Sequence, residues 1–164
     1  MIDLSIDHAS VTDSLGRVAQ ATAHRADLMR LLANIMGDAV EENFAQEGRP
    51  RWLGLKPPGR PGGRILQSTG RLASSVIARS DADHATVGTN VKYAAIHQFG
   101  GQTRAHVIRP RNKRALAWAG AAHPVTRVNH PGSKIPARPF LLLTDYELGE
   151  IEYTVEDYLR RAAG

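Results

Sequence analysis

The chain has 164 residues, enough for one domain with a real core, and its 42% hydrophobic and 23% charged shares are those of a folded soluble protein. It contains no cysteine, which excludes disulfides, thiolate metal sites and cysteine nucleophiles. The net charge of +5 is unevenly spread: residues 1–48 carry −5, residues 49–138 carry +14 and residues 139–164 carry −4. A basic block of this kind faces nucleic acid, an acidic protein surface or water, and its acidic flanks add a further option, in which copies of the chain meet side by side.

Ile2, Leu4 and Ile6 alternate with Asp3, Ser5 and Asp7, which predicts a short half-buried strand. This acidic start is unlike a secretory leader, and no run approaches a membrane span, so residence in a cytoplasm is expected. Ser10 with Asp13 has the spacing of a capping box and predicts a helix whose apolar side is Val11, Leu15 and Val18. Leu28, Leu31, Leu32, Ile35, Met36, Ala39 and Val40 then form one helical stripe, extended by Phe44 and stopped by Gly48 and Pro50.

Residues 49–63 mix prolines and glycines with basic side chains, so regular structure is not expected there. Trp52 reads as a pin holding that segment to the core, with a solvent-facing binding role as the alternative. Residues 71–79 predict a strand, with residues 83–89 as its hairpin partner and a turn rich in short polar side chains between them. Asn90 is placed to cap a short helix carrying Tyr93, Ile96 and His97, which Gly100 and Gly101 end. Tyr93 and Phe99 read as core residues on that connector.

Residues 102–136 form a long excursion bearing Arg104, Arg109, Arg111, Lys113, Arg114, Arg127 and Lys134. Its middle still alternates, which predicts a projecting ribbon with Leu116 and Trp118 on one face. Long connections with structure of their own are usually functional. Residues 140–143 read as a buried strand, and Thr144 with Glu147 caps a last helix whose stripe is Leu148, Ile151, Val155, Tyr158 and Leu159. The expected fold is α+β: one domain over residues 1–164, a small antiparallel sheet packed by a long N-terminal helix and a C-terminal helix, with an arm at about 102–136.

None of the seven histidines has ligand spacing, and His84, His97, His106, His123 and His130 lie in different predicted elements, so no metal is expected. No nucleophile elbow or phosphate-cradling Gly-Lys-Ser/Thr ending is present, so neither an enzyme nor a cofactor is expected. The arginines of the excursion suit phosphates, but no helix-turn-helix, zinc finger or stacking platform reads bases, so any DNA contact would be indifferent to sequence.

Several local words occur in a telling order. They are Phe44 with Gly48, Pro50 and Trp52; Leu66 with Thr69, Gly70, Arg71 and Leu72; Val87, Gly88 and Thr89; and Tyr93-Ala94-Ala95-Ile96-His97-Gln98-Phe99-Gly100-Gly101. His130-Pro131-Gly132 and Ile135-Pro136-Ala137-Arg138-Pro139-Phe140-Leu141 follow. Together they resemble the phage virion morphogenesis (tail-completion) family, which includes the Mu-like G proteins, over nearly the whole chain.

The resemblance implies a structural virion protein that completes the tail and joins it to the DNA-filled head. It would be assembled in the bacterial host cytoplasm and located at the head–tail junction. Related neck proteins form rings, often sixfold, around a channel for DNA. The implied partners are other copies of this chain, tail-tube and head-connector proteins and, without sequence preference, DNA; no membrane is implied. Arg104, Arg109, Arg111, Lys113, Arg114, Trp118 and Arg127 are then the expected subunit or partner contacts. Trp52, Tyr93, His97, Phe99, Gly100, Gly101, Arg138, Pro139 and Phe140 are the structural motif.

Overall fold

The computed structural model describes residues 8–55, 62–118 and 122–164. The predicted opening strand at residues 2–6 lies outside them, as does the centre of the proline- and glycine-rich segment. In chain order the elements are α1 (Ala9–Ala23), α2 (Ala26–Ala45), α3 (Arg71–Ser74), β1 (Ile77–Ser80), β2 (Ala85–Gly88), α4 (Ala94–Phe99), β3 (Gly101–Gln102), β4 (His106–Ile108), β5 (Val128–His130), β6 (Lys134–Ile135) and α5 (Asp145–Ala163). The fold is α+β, with each pair of strands antiparallel. The chain divides into two compact units, residues 1–92 with 140–164, and residues 93–139.

In the first unit α2 is central, with the β1–β2 hairpin and α5 both packed against it and α1 laid along α5. Leu28, Ala33, Ala39, Val40 and Phe44 of α2 are buried, whereas Leu31 of the predicted stripe is exposed. Gly37 lets the hairpin approach, since a Cβ there would sit 3.2 Å from that of Ala78. Phe44, Trp52 and Phe140 pack into one aromatic cluster, with the Trp52 ring edge-on at 5.8 Å and the Phe140 ring tilted at 5.4 Å from Phe44, between centroids.

The end of α2 is a Schellman turn. Gly48 N–H donates to the Asn43 carbonyl at 2.8 Å, Glu47 N–H donates to the Phe44 carbonyl at 3.4 Å, and Glu47 takes the left-handed conformation at φ 58°. Gly48 follows at φ 103° directly beneath the Trp52 ring, and a Cβ on it would lie 2.4 Å from the indole. The glycine that stops the helix therefore also seats the tryptophan.

Four expectations fail in this unit for local reasons. Ser10 is not a cap, because α1 begins at Ala9 after His8 and places the serine inside its first turn. α1 buries none of its residues, and Val11 and Leu15 face solvent. Residues 71–74 are a helical turn rather than strand: Gly70, left-handed at φ 72°, accepts from Ser74 N–H and drives Leu72 into the core, so the strand starts only at Ile77. Residues 140–143 make no ladder, because the side chain of Asn43 takes the carbonyls of Phe140 and Leu142 at 2.9 and 2.8 Å.

In the second unit α4 starts at Ala94 with Tyr93 as its N-terminal neighbour, so Asn90 is not the cap. Thr89 instead turns the chain, its hydroxyl accepting from Val91 N–H at 3.2 Å. Tyr93 and Phe99 are not core. Phe99 is 79% exposed and Tyr93 41%, because the six-residue helix buries Ala94 and turns both rings outward. Gly100 is required by the return of the chain: a Cβ there would lie 2.8 Å from Ala137 N, and Arg138 N–H donates to the His97 carbonyl at 2.7 Å.

Candidate assembly interface

The arm is built as a two-stranded ribbon whose register can be read pair by pair. Gly101 faces Ile135 and Gln102 faces Lys134, then His106, Val107 and Ile108 face His130, Asn129 and Val128. Between the two ladders Thr103 N–H donates to the Ser133 carbonyl, and Ser133 N–H returns a bond to the Thr103 hydroxyl. Gly132, at φ 92°, allows this closure, since a Cβ would fall 2.0 Å from the Thr103 carbonyl oxygen. The rings of His106 and His130 stack across the ribbon at 5.1 Å.

Beyond Ile108 the register slips. The next bridge joins Leu116 to Val125, with both backbone bonds made at 2.8 and 3.0 Å. Residues 109–115 on one side are thus set against only residues 126–127 on the other. Arg109, Arg111, Lys113 and Arg114 all lie in the longer, bulged side and Arg127 lies opposite, so one break in the ladder gathers five cations. Arg104 stands apart, before β4, and Trp118 lies two residues past the bridge.

All six of these cations are exposed, and Trp118 is 55% exposed. Among the described residues none of the six pairs with a carboxylate. The reason lies in composition: residues 93–139 hold eight Lys or Arg and no Asp or Glu. The remainder of the chain holds thirteen Lys or Arg against sixteen Asp or Glu, so the charge separation follows the division into units. Sequence reading placed the cations on a ribbon; the slip that collects them depends on pairing across the ribbon, which periodicity does not reveal.

The motif residues differ in their surroundings, Phe99 being exposed and others buried. Trp52 and Phe140 sit in the aromatic cluster, 6% and 0% exposed. Arg138 is buried at the base of the ribbon, where loss of water lowers its pKa. Burial, and then the charge of Arg138, lower the pKa of His97, and its Nδ1 has no partner among the described residues. Tyr93 lies edge-on to the His97 ring at 5.9 Å. Among the described residues no group of three or more His, Asp or Glu is placed to hold a metal, and no helix is long and apolar enough to cross a membrane.

One cluster escaped sequence reading. Asn43, fully buried, accepts from Arg49 Nε at 2.9 Å; Arg49 Nη1 meets Glu147 Oε1 at 2.5 Å; and Glu147 Oε2 accepts from Thr144 N–H at 2.7 Å and from its hydroxyl at 2.5 Å. Although burial alone would raise it, the bonds from Thr144 and Arg49 bring the Glu147 pKa down to about 2. The capping box of α5 was legible, but its link to residues some 98 positions earlier was not. This is a structural clamp of the first unit.

The family model for the phage virion morphogenesis family matches residues 6–160. The chain is also similar to "Mu-like prophage FluMu G protein 2" of Haemophilus influenzae, 40% identical over 162 residues that cover 98% of this chain and 97% of the relative. No solved structure matches it. That family is one of phage structural proteins, and a match spanning both units, from α1 to the last turns of α5, shows that the chain belongs to the phage virion morphogenesis family.

Proposed function

We propose that the protein completes the phage tail and joins it to the DNA-filled head, acting as a ring of identical copies at the head–tail junction, with six as the expected number. The observation that carries this reading is the acid-free arm. Its exposed cations have no carboxylate partner among the described residues, which leaves them open to an acidic surface elsewhere. Ring closure requires a heterologous contact, in which one patch meets a different patch on the next copy, and a chain that carries both a basic arm and a net-acidic unit suits that contact. Tail-tube and head-connector proteins would flank the ring.

Deleting the gene from its phage or inducible prophage and imaging the particles tests the reading. Filled heads beside unattached or abnormal tails are expected. Intact, infectious particles would overturn it.

A second reading is favoured by the five-cation break in the ribbon, a local charge density that also suits phosphates. In it the arm binds DNA without regard to sequence, through backbone contacts alone.

A further inference from the structure

We infer that the outer face of α5 is the seat for the basic arm of a second copy of this chain. This deepens the proposed self-assembly and rests on it. α5 turns Glu147 inward, with Ile151, Val155 and Tyr158 half-buried, which leaves Asp145, Tyr146, Gly149, Glu152, Tyr153 and Glu156 on the opposite side at helical spacing. Tyr146 is 69% and Tyr153 64% exposed.

Three features of this face point to an arginine-rich occupant. Asp145 and Glu152 form no ion pair among the described residues, while Glu156 reaches Arg160 only at 3.9 Å. Two exposed phenol rings offer π-faces on which guanidinium groups stack, beside carboxylates that accept their N–H groups in pairs. Gly149 lies between the tyrosines, three residues after one and four before the other, and a Cβ on it would meet nothing within 4 Å. Nothing among the described residues requires that glycine, although glycine weakens a helix interior. A glycine between two exposed tyrosines, kept at a cost to the helix, fits the close approach of a partner.

The occupant is a second copy because both halves of the match stand open in one chain. The tyrosines are exposed, and the arm cations have no carboxylate partner among the described residues. Arm on one copy and α5 on the next make the head-to-tail contact that closes a ring.

The test is carbodiimide coupling of an equal mixture of unlabelled and ¹⁵N-labelled full-length chain, both as purified protein and as incorporated into particles. Only four lysines are present, two of them, Lys113 and Lys134, on the arm. Mixed-isotope cross-links from Lys113 to Asp145, Glu152 or Glu156 are expected. Tyr153→Ala should weaken self-association about tenfold, the size of a stacked cation–π contact with its burial. Gly149→Ala should raise the thermal midpoint by about 3 °C while weakening self-association, a split that a purely structural glycine would not give.

Arm cross-links confined to single-isotope peptides, to another virion protein or to none of the α5 carboxylates would overturn the inference, as would a Gly149→Ala chain that assembles like the parent. Loss of the cross-links on adding duplex DNA would assign the arm to DNA instead. The deletion phenotype is independent of all these outcomes, so a failed α5 seat and a failed junction role are told apart.

Discussion

Glu147 carries more of the first unit than its place in a capping box suggests. It is 3% exposed, joined to Arg49 and to Thr144, and through Arg49 to Asn43, which itself holds the carbonyls of residues 140 and 142. Removing one partner of a buried ion pair strands the other, at a cost of about 3 kcal/mol. Glu147→Gln should therefore lower unfolding stability by about that amount at neutral pH, measured by urea denaturation. The sign of the pH dependence follows from the lowered pKa: about 2 in the folded chain against 4.5 when free. The contribution is complete above 4.5 and is lost as pH falls toward 2, so parent and variant should converge there. Thr144 and Glu147 were legible as neighbours at capping distance. Asn43 was not, because a buried asparagine shows its role only when carbonyls 97 and 99 positions away arrive beside it.

At the scale of elements, the helices were read more successfully than the strands, and the reason is visible in which bonds close them. α2 and α5 are set by periodic apolar faces and by local caps, all within a few residues. Residues 140–143 have the apolar run of a strand, yet a side chain from α2 meets two of their carbonyls, which no pattern in the run announces. Residues 71–74 likewise curl into a turn because Gly70 is left-handed. Gly48 shows how a legible stop signal can hold a second role: it ends α2 and lies against the Trp52 ring. Gly48→Ala would force both a left-handed alanine and an overlap at 2.4 Å, so a loss of about 2 kcal/mol is expected. Trp52 fluorescence should shift toward that of exposed indole in the same variant, and an unchanged spectrum at unchanged stability would show that the turn can repack.

For the whole molecule, the decisive property is that one unit, residues 93–139, carries Lys and Arg with no Asp or Glu, while the rest of the chain mixes both signs. The charge blocks were visible in the sequence, but the boundaries of the acid-free unit, residues 93–139, and the slip that gathers Arg109, Arg111, Lys113, Arg114 and Arg127 needed the fold. Because these cations and Trp118 are exposed, and the cations form no ion pair among the described residues, changing them should spare the fold. Arg109→Glu with Arg111→Glu, or Trp118→Ala alone, should leave the unfolding midpoint within the scatter of surface substitutions, within about 0.5 kcal/mol, while blocking head–tail joining. The same charge-reversed chain separates the two readings of the arm. Were DNA the main partner, the parent would bind duplexes of unrelated sequence with similar affinity, and the logarithm of that affinity would fall with log salt at a slope of about −4.5 for five neutralised phosphates. A flat salt response, or no binding at low salt, combined with failed joining by the variant would assign the arm to protein contacts. A variant that unfolds, or that joins heads to tails normally, would show that the arm has been misplaced.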